Sequence, residues 1–179
     1  HLVAGPIERS RNLLPGLMGL RRLTPEKLLG GCQLIIIGYV KKVAIADAIA
    51  PMTAQAFNGS PEHTGAGLLL GLYLFALQMY GDFSGYSDIA RGCARLLGVE
   101  LSINFRQPYF SRNITEFWER WHISLSTWLR DYIFVPLCRQ FRGKKWINFN
   151  LFLTMLISGI WHGASWNFVC WGAVLGAML

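Results

Sequence analysis

Charge is scarce in this 179-residue chain: Asp, Glu, Lys and Arg together make up 15%, and the 10 acidic residues are outnumbered by 17 basic ones. Against 53% hydrophobic residues, that shortage excludes an ordinary soluble domain and points to a membrane-embedded chain. Metal and redox patterns are missing as well. Cys32, Cys93, Cys138 and Cys170 stand singly and far apart, which argues against both a disulfide framework and a metal cluster. No H-x-x-H or H-x-x-x-H pair sets two ligands on one helical face, so no metal is expected. The hydrolase elbow G-x-S-x-G fails at GDFSG, where Phe83 takes the serine's place and Ser84 comes one position late. Neither an H-x-x-x-x-D acyltransferase pattern nor a phosphate-cradling G-x-x-x-x-G-K-[ST] occurs. There is no repeat, no low-complexity tract and no start resembling a signal peptide.

What is present is apolar sequence broken by a few polar points. The net charge is +7, carried by clusters at Arg9, Arg11, Arg21, Arg22 and Lys27, at Lys41 and Lys42, and at Arg139, Arg142, Lys144 and Lys145. Without a helix-turn-helix, zinc finger or RRM signature, such clusters point to cytoplasmic loops and anionic headgroups, not nucleic acid. His1–Leu20 reads as a loop around Gly5-Pro6 and Pro15. The apolar run Cys32–Val40 stops at Lys41-Lys42 and resumes as Val43–Ala50. Neither half reaches the roughly 20 residues of a span, so an interfacial helix or a short tilted one is expected. Asn58–Gly67 is a loop by composition, and His63 within it reads as solvated.

Ala66–Tyr80 runs into GDFSGYSDIARG, whose glycines and aspartates suggest a membrane helix that ends or breaks there. Asp88 and Arg91 have the spacing of a local ion pair, and Asp82 and Asp88 are assigned to holding helices together. Leu101–Arg112 reads as a connector in which Pro108 sets Gln107 extended. Asn113–Tyr132 has Ile114, Phe117, Trp118, Trp121, Leu125, Trp128, Leu129 and Tyr132 on one helical face and charge on the other. A single amphipathic helix is expected, capped by Asn113 with Glu116, ended by Pro136, with His122 at the boundary of its faces. Asn148–Leu179 is almost uncharged and is interrupted by His162 in Gly159-Ile160-Trp161-His162-Gly163. It is too long for one span: two segments meeting near Gly163, or one kinked helix, would serve.

An ionisable group inside a membrane segment is costly and tends to mark function. His162 is the strongest instance, as a general base or as a structural cross-tie between helices. His122 suits either chemistry or packing, and the aromatic stripe by itself suits packing or an interfacial belt.

HLVAGPI (1–7), YGDFSGYSDIARG (80–92), NFRQPYFSRNITEFWERWHISLSTWLRDYIFVPL (104–137) and ISGIWHGASWNFVCWG (157–172) occur in that order over nearly the whole chain. Together they resemble the membrane-bound O-acyltransferase family, in its bacterial branch that modifies alginate and teichoic acid. The resemblance implies an all-α, polytopic membrane protein, here one membrane-embedded acyltransferase region, 1–179, of a helical funnel with broken helices. On that reading transmembrane helices are missing at both ends, and the protein sits in the bacterial inner membrane. It implies acyl transfer, acetyl in the first instance, from a cytoplasmic thioester to a hydroxyl of a cell-surface polysaccharide. The thioester, on coenzyme A or a carrier protein, is a co-substrate and no cofactor is bound. The expected partners are the bilayer, the acyl donor and acyltransferase or polysaccharide proteins outside the membrane. The family's essential histidine matches His162 and its second histidine His122, while Trp118, Trp121 and Trp161 would line the substrate passage. Two departures stand out: Cys138-Arg139-Gln140-Phe141 replaces a Gly-Gly-Asn-Arg run, and Leu175 precedes Gly176 where relatives carry a histidine. A transporter or lipid-carrier flippase, or a non-catalytic scaffold, would keep the same intramembrane histidines.

Overall fold

The computed structural model describes residues 5–19, 23–58 and 64–179. The expected loop histidine His63, with residues 59–63 of the expected loop Asn58–Gly67, and the first four residues of HLVAGPI lie outside them. Among the described residues all regular structure is helical. Two units form, residues 1–102 and 103–179.

In the first unit the stretch expected as a loop contains α1 (Ser10–Met18), two turns long with Pro15 inside it. α2 (Pro25–Tyr39) starts with a threonine cap, the Thr24 hydroxyl accepting from the Lys27 N–H, and with proline at its first position, where the absent N–H costs nothing. It does not stop at the lysines. The chain passes through π-helical turns at Val40–Asp47 directly into α3 (Ala48–Asn58), so Pro25–Phe57 forms one apolar helix of 33 residues. α4 (Gly65–Leu96) is likewise unbroken over 32 residues, through the GDFSG segment where a break was expected.

Both helices are long and apolar enough to cross a membrane. Only 11% of each apolar window is buried, where a core helix of a soluble protein would be covered.

The reason neither helix breaks is their mutual packing. A Cβ on Gly38 would lie 2.6 Å from the Gly85 carbonyl oxygen, and one on Gly85 2.7 Å from that of Gly38. Backbone meets backbone here, and glycine is what allows it. The lysines are neutralised by α4: Lys41 Nζ lies 2.6 Å from Asp88, which also holds Arg91 at 3.4 Å. Lys42 lies 2.7 Å from Asp47 and 2.8 Å from Asp82. Lys41 and Lys42 therefore mark an interhelical contact, not a cytoplasmic loop, and the two aspartates hold helices together, the role assigned to them from the sequence.

The second unit opens with a connector that carries the turn Pro108–Phe110. Gln107 is not extended but left-handed, at φ 48°. The aromatic stretch is two helices, not one: α5 (Ile114–Arg120) and α6 (Ile123–Leu129). The asparagine cap forms as expected, Asn113 Oδ1 accepting from the Glu116 N–H at 2.8 Å, while the Glu116 carboxylate reaches Arg112 N–H at 2.7 Å. Pro136 does not end the helical path. α6 runs through π turns at Arg130–Phe134 into α7 (Val135–Gln140), where the proline sits in the first turn. α8 (Ile147–His162) and α9 (Trp166–Met178) form a hairpin around Gly163, which settles the end of the chain as two segments. The core of this unit combines Leu125 and Leu129 of α6 with Met155 of α8, and includes the fully buried Asn150.

Candidate active site

His122 sits where α5 and α6 separate. Its backbone is left-handed, φ 42° and ψ 53°, a region that few residues other than glycine enter. It is the N-cap of α6, and its Nδ1 accepts the Leu125 N–H at 3.2 Å. An accepting Nδ1 places the proton of the neutral ring on Nε2. The side chain is 6% exposed, and its helix lies outside both spans. Burial pushes its pKa down to about 4, and the nearby charge of His162 lowers it further. His122 is therefore neutral at physiological pH, and the two imidazoles are close enough to feel one another.

His162 is the last residue of α8. Phe168 of α9 stacks over its ring at a centroid distance of 6.2 Å, Trp171 meets it edge-on at 5.1 Å and Trp161 at 5.0 Å. Gly163 makes room for this arrangement, since a Cβ there would fall 2.6 Å from the Phe168 ring. His162 is exposed in this chain. The sealed passage expected around it is not enclosed by these residues alone.

Ring contacts run without interruption from one histidine to the other. Phe105 meets His122 at 6.3 Å and Trp121 at 5.0 Å; Trp121 stacks on Phe117 at 5.6 Å; Phe117 meets Trp118 at 5.4 Å. Trp118 then meets Trp171 at 6.2 Å, and Trp171 meets His162. Of the sequence candidates, His122, His162, Trp118 and Trp121 thus belong to one cluster, and Trp161 flanks it with 59% of its surface exposed. Trp118 Nε1 is buried and has no acceptor among the described residues, which leaves one N–H directed at no protein group.

Phe105, Phe168 and Trp171 were not singled out by sequence reasoning. The first lies in a connector without periodicity, and the other two look like ordinary apolar positions of α9. Asn104, also missed, is 1% exposed and bonds the residues that follow His122. The expected metal-free character of the site rests on its donor set, two histidines among aromatic rings with no carboxylate in the ring series. A shallow apolar cavity of about 440 Å³, lined by Phe134, Cys138, Phe141, Gly143, Lys144 and Ile147, lies at the opposite end of α8 from His162 and takes no part in this cluster.

Residues 19–179 match the pattern of the membrane-bound O-acyltransferase family. Over the whole chain, 47% of residues are identical to the probable alginate O-acetylase AlgI of Azotobacter vinelandii, 36% of whose length is covered. Identity is 37% to a peptidoglycan O-acetyltransferase of Helicobacter pylori, again over the full chain and 34% of that protein. It is 32% to a teichoic acid D-alanyltransferase of Bacillus subtilis, over 94% of this chain and 45% of that protein. The chain thus spans about a third of the length of the alginate and peptidoglycan relatives it matches.

Proposed function

The chain belongs to the membrane-bound O-acyltransferase family, and on that footing we propose that it carries the acceptor-activating centre of an enzyme that O-acetylates a cell-surface polysaccharide. The acetyl group would come from a cytoplasmic thioester, and the protein would be a multi-pass component of the inner membrane working with polysaccharide-modifying partners. Acetyl is preferred to aminoacyl because identity is higher to the relatives named as O-acetylating than to the one named for D-alanyl transfer. The observation that carries the reading is the single aromatic cluster joining His122 to His162.

The two imidazoles take different roles. His162 accepts the proton of an acceptor hydroxyl as its oxygen attacks the thioester carbonyl; the C–O bond forms, the C–S bond breaks, and the departing thiolate recovers the proton from the imidazolium. His122, with Nδ1 committed to the Leu125 N–H, offers an Nε2–H donor that orients the acceptor oxygen or the thioester carbonyl. The unmatched Trp118 N–H is a second donor for an oxygen in the passage, and a ligand that accepts it relieves the cost of roughly 1–3 kcal/mol of a buried unsatisfied group. Further helices of the longer protein would cover His162 and exclude water, protecting the thioester from hydrolysis.

The test is acyl transfer by the complete protein in liposomes. His162→Ala is expected to insert and express normally but to lose roughly 10²- to 10⁴-fold in rate, the usual contribution of a positioned base. An unchanged rate would remove His162 from the mechanism.

A further inference from the structure

We propose that Asn104 is a positioning residue that sets the catalytic orientation of His122; this rests on the role just given to that histidine. The first N–H groups of a helix have no partner within it and must find one elsewhere. At α6 three of them are satisfied by two residues. The Ile123 N–H donates to the Asn104 backbone oxygen at 2.9 Å, the Ser124 N–H to Asn104 Oδ1 at 3.2 Å, and the Leu125 N–H to His122 Nδ1 at 3.2 Å. The Ser124 hydroxyl adds a further bond to the same Oδ1 at 2.9 Å. Asn104 thus grips the two residues immediately after His122 through both its backbone and its side chain.

That grip addresses a definite strain. A non-glycine residue at φ 42° is strained and persists only where its surroundings over-determine it. No glycine relieves the turn, so neighbouring bonds must impose it. Asn104 is suited to this because it is 1% exposed, which shields its oxygen from bulk solvent. Its neighbour Phe105 lays its ring against His122 at 6.3 Å, so the same short segment fixes the backbone behind the imidazole and the wall beside it. With the turn held, Nδ1 stays on the Leu125 N–H and Nε2 keeps its direction. Without it, α5 and α6 can merge into the continuous helix that their shared periodicity favours, and the imidazole swings to the helix surface.

The experiment is a double-mutant cycle on the complete protein in liposomes, reading transfer rate, donor KM and thermal stability for Asn104→Ala, His122→Asn and the pair. Asparagine at 122 tolerates the left-handed backbone and can still accept from the Leu125 N–H, so it removes the imidazole and spares the turn. Asn104→Ala is expected to lower kcat at least tenfold with donor KM unchanged, and to lower it less than twofold further when His122 is already asparagine. Asn104→Asp keeps the acceptor oxygen in place and is expected to retain the rate to within about threefold. Equal losses from Asn104→Ala in both backgrounds would mean a general structural role and overturn the proposal, as would full activity of Asn104→Ala. Full activity of His122→Asn would instead overturn the role of His122 itself, a separate result. Should Asn104→Ala fail to accumulate, Ser124→Ala removes one of the two bonds to Oδ1; its expected loss of about threefold must also vanish in the His122→Asn background.

Discussion

His122 is where the residue scale decides most. Its neutral form is the one that fits the site: Nδ1 must remain an acceptor, and burial keeps the ring from taking up a second proton until about pH 4. An unfolded histidine titrates near 6.5, so between those values the unfolded chain binds the proton more readily and is favoured by acid. The stabilising contribution is complete above about pH 6.5 and is lost as pH falls toward 4. Integrated over that interval it amounts to about 3 kcal/mol. Thermal melts of the complete protein in detergent between pH 7 and 4.5 should show this acid loss, and His122→Asn should lack that portion. An identical acid slope in the variant would show that some other group is responsible. The sequence made His122 visible as a residue, because a histidine among tryptophans is conspicuous. It did not make its conformation visible. The aromatic spacing continues across Trp121 and Leu125 as though the helix were unbroken, and the turn is imposed by Asn104, eighteen residues upstream.

At the scale of elements, the α2–α3 and α4 pair shows how a polar interruption in an apolar sequence can be read two ways. Lys41 and Lys42 looked like the end of one short helix, and Gly81, Gly85, Asp82 and Asp88 like a break in another. Each set answers the other: the glycines let the backbones touch, and the aspartates meet the lysines. The local pair Asp88–Arg91 was legible because it lies within one turn of helix. The Lys41–Asp88 pair spans 47 residues and could emerge only from the packing. Asp88→Asn should therefore destabilise by about 3 kcal/mol, toward the lower end of what removing one partner of a buried pair costs, because Lys41 retains partial access to its surroundings. Lys41→Met combined with Asp88→Leu should recover part of that loss, since it removes the orphaned Lys41 ammonium, while Arg91, the other partner of Asp88, stays without its carboxylate. Melting temperatures in detergent give the comparison. A double variant no more stable than Asp88→Asn would show that the orphaned Lys41 charge is not the source of the loss.

On the scale of the whole molecule, composition pointed to the membrane class and the ordered motifs to the family, while the second unit carries an expectation for the direction in which the proposed chemistry faces. The basic stretch Arg139–Lys145 joins α7 to α8, and its Arg142, Lys144 and Lys145 are exposed. Lys and Arg beside a membrane segment favour the cytoplasmic side. α8 then carries the chain through 16 residues to His162, about 24 Å at the rise of an α-helix, most of the roughly 30 Å hydrocarbon thickness. On the function proposed above, this separation would place His162 toward the outer leaflet, on the side of the proposed polysaccharide acceptor, with the proposed thioester donor on the cytoplasmic side. The orientation is open to a direct measurement on the complete protein, with its native cysteines replaced and Lys145→Cys introduced. A membrane-impermeant maleimide should label that cysteine in inside-out vesicles and leave it unlabelled in right-side-out ones. The opposite pattern would put His162 toward the cytoplasm, and the acceptor, not the donor, would then have to cross the membrane to be modified.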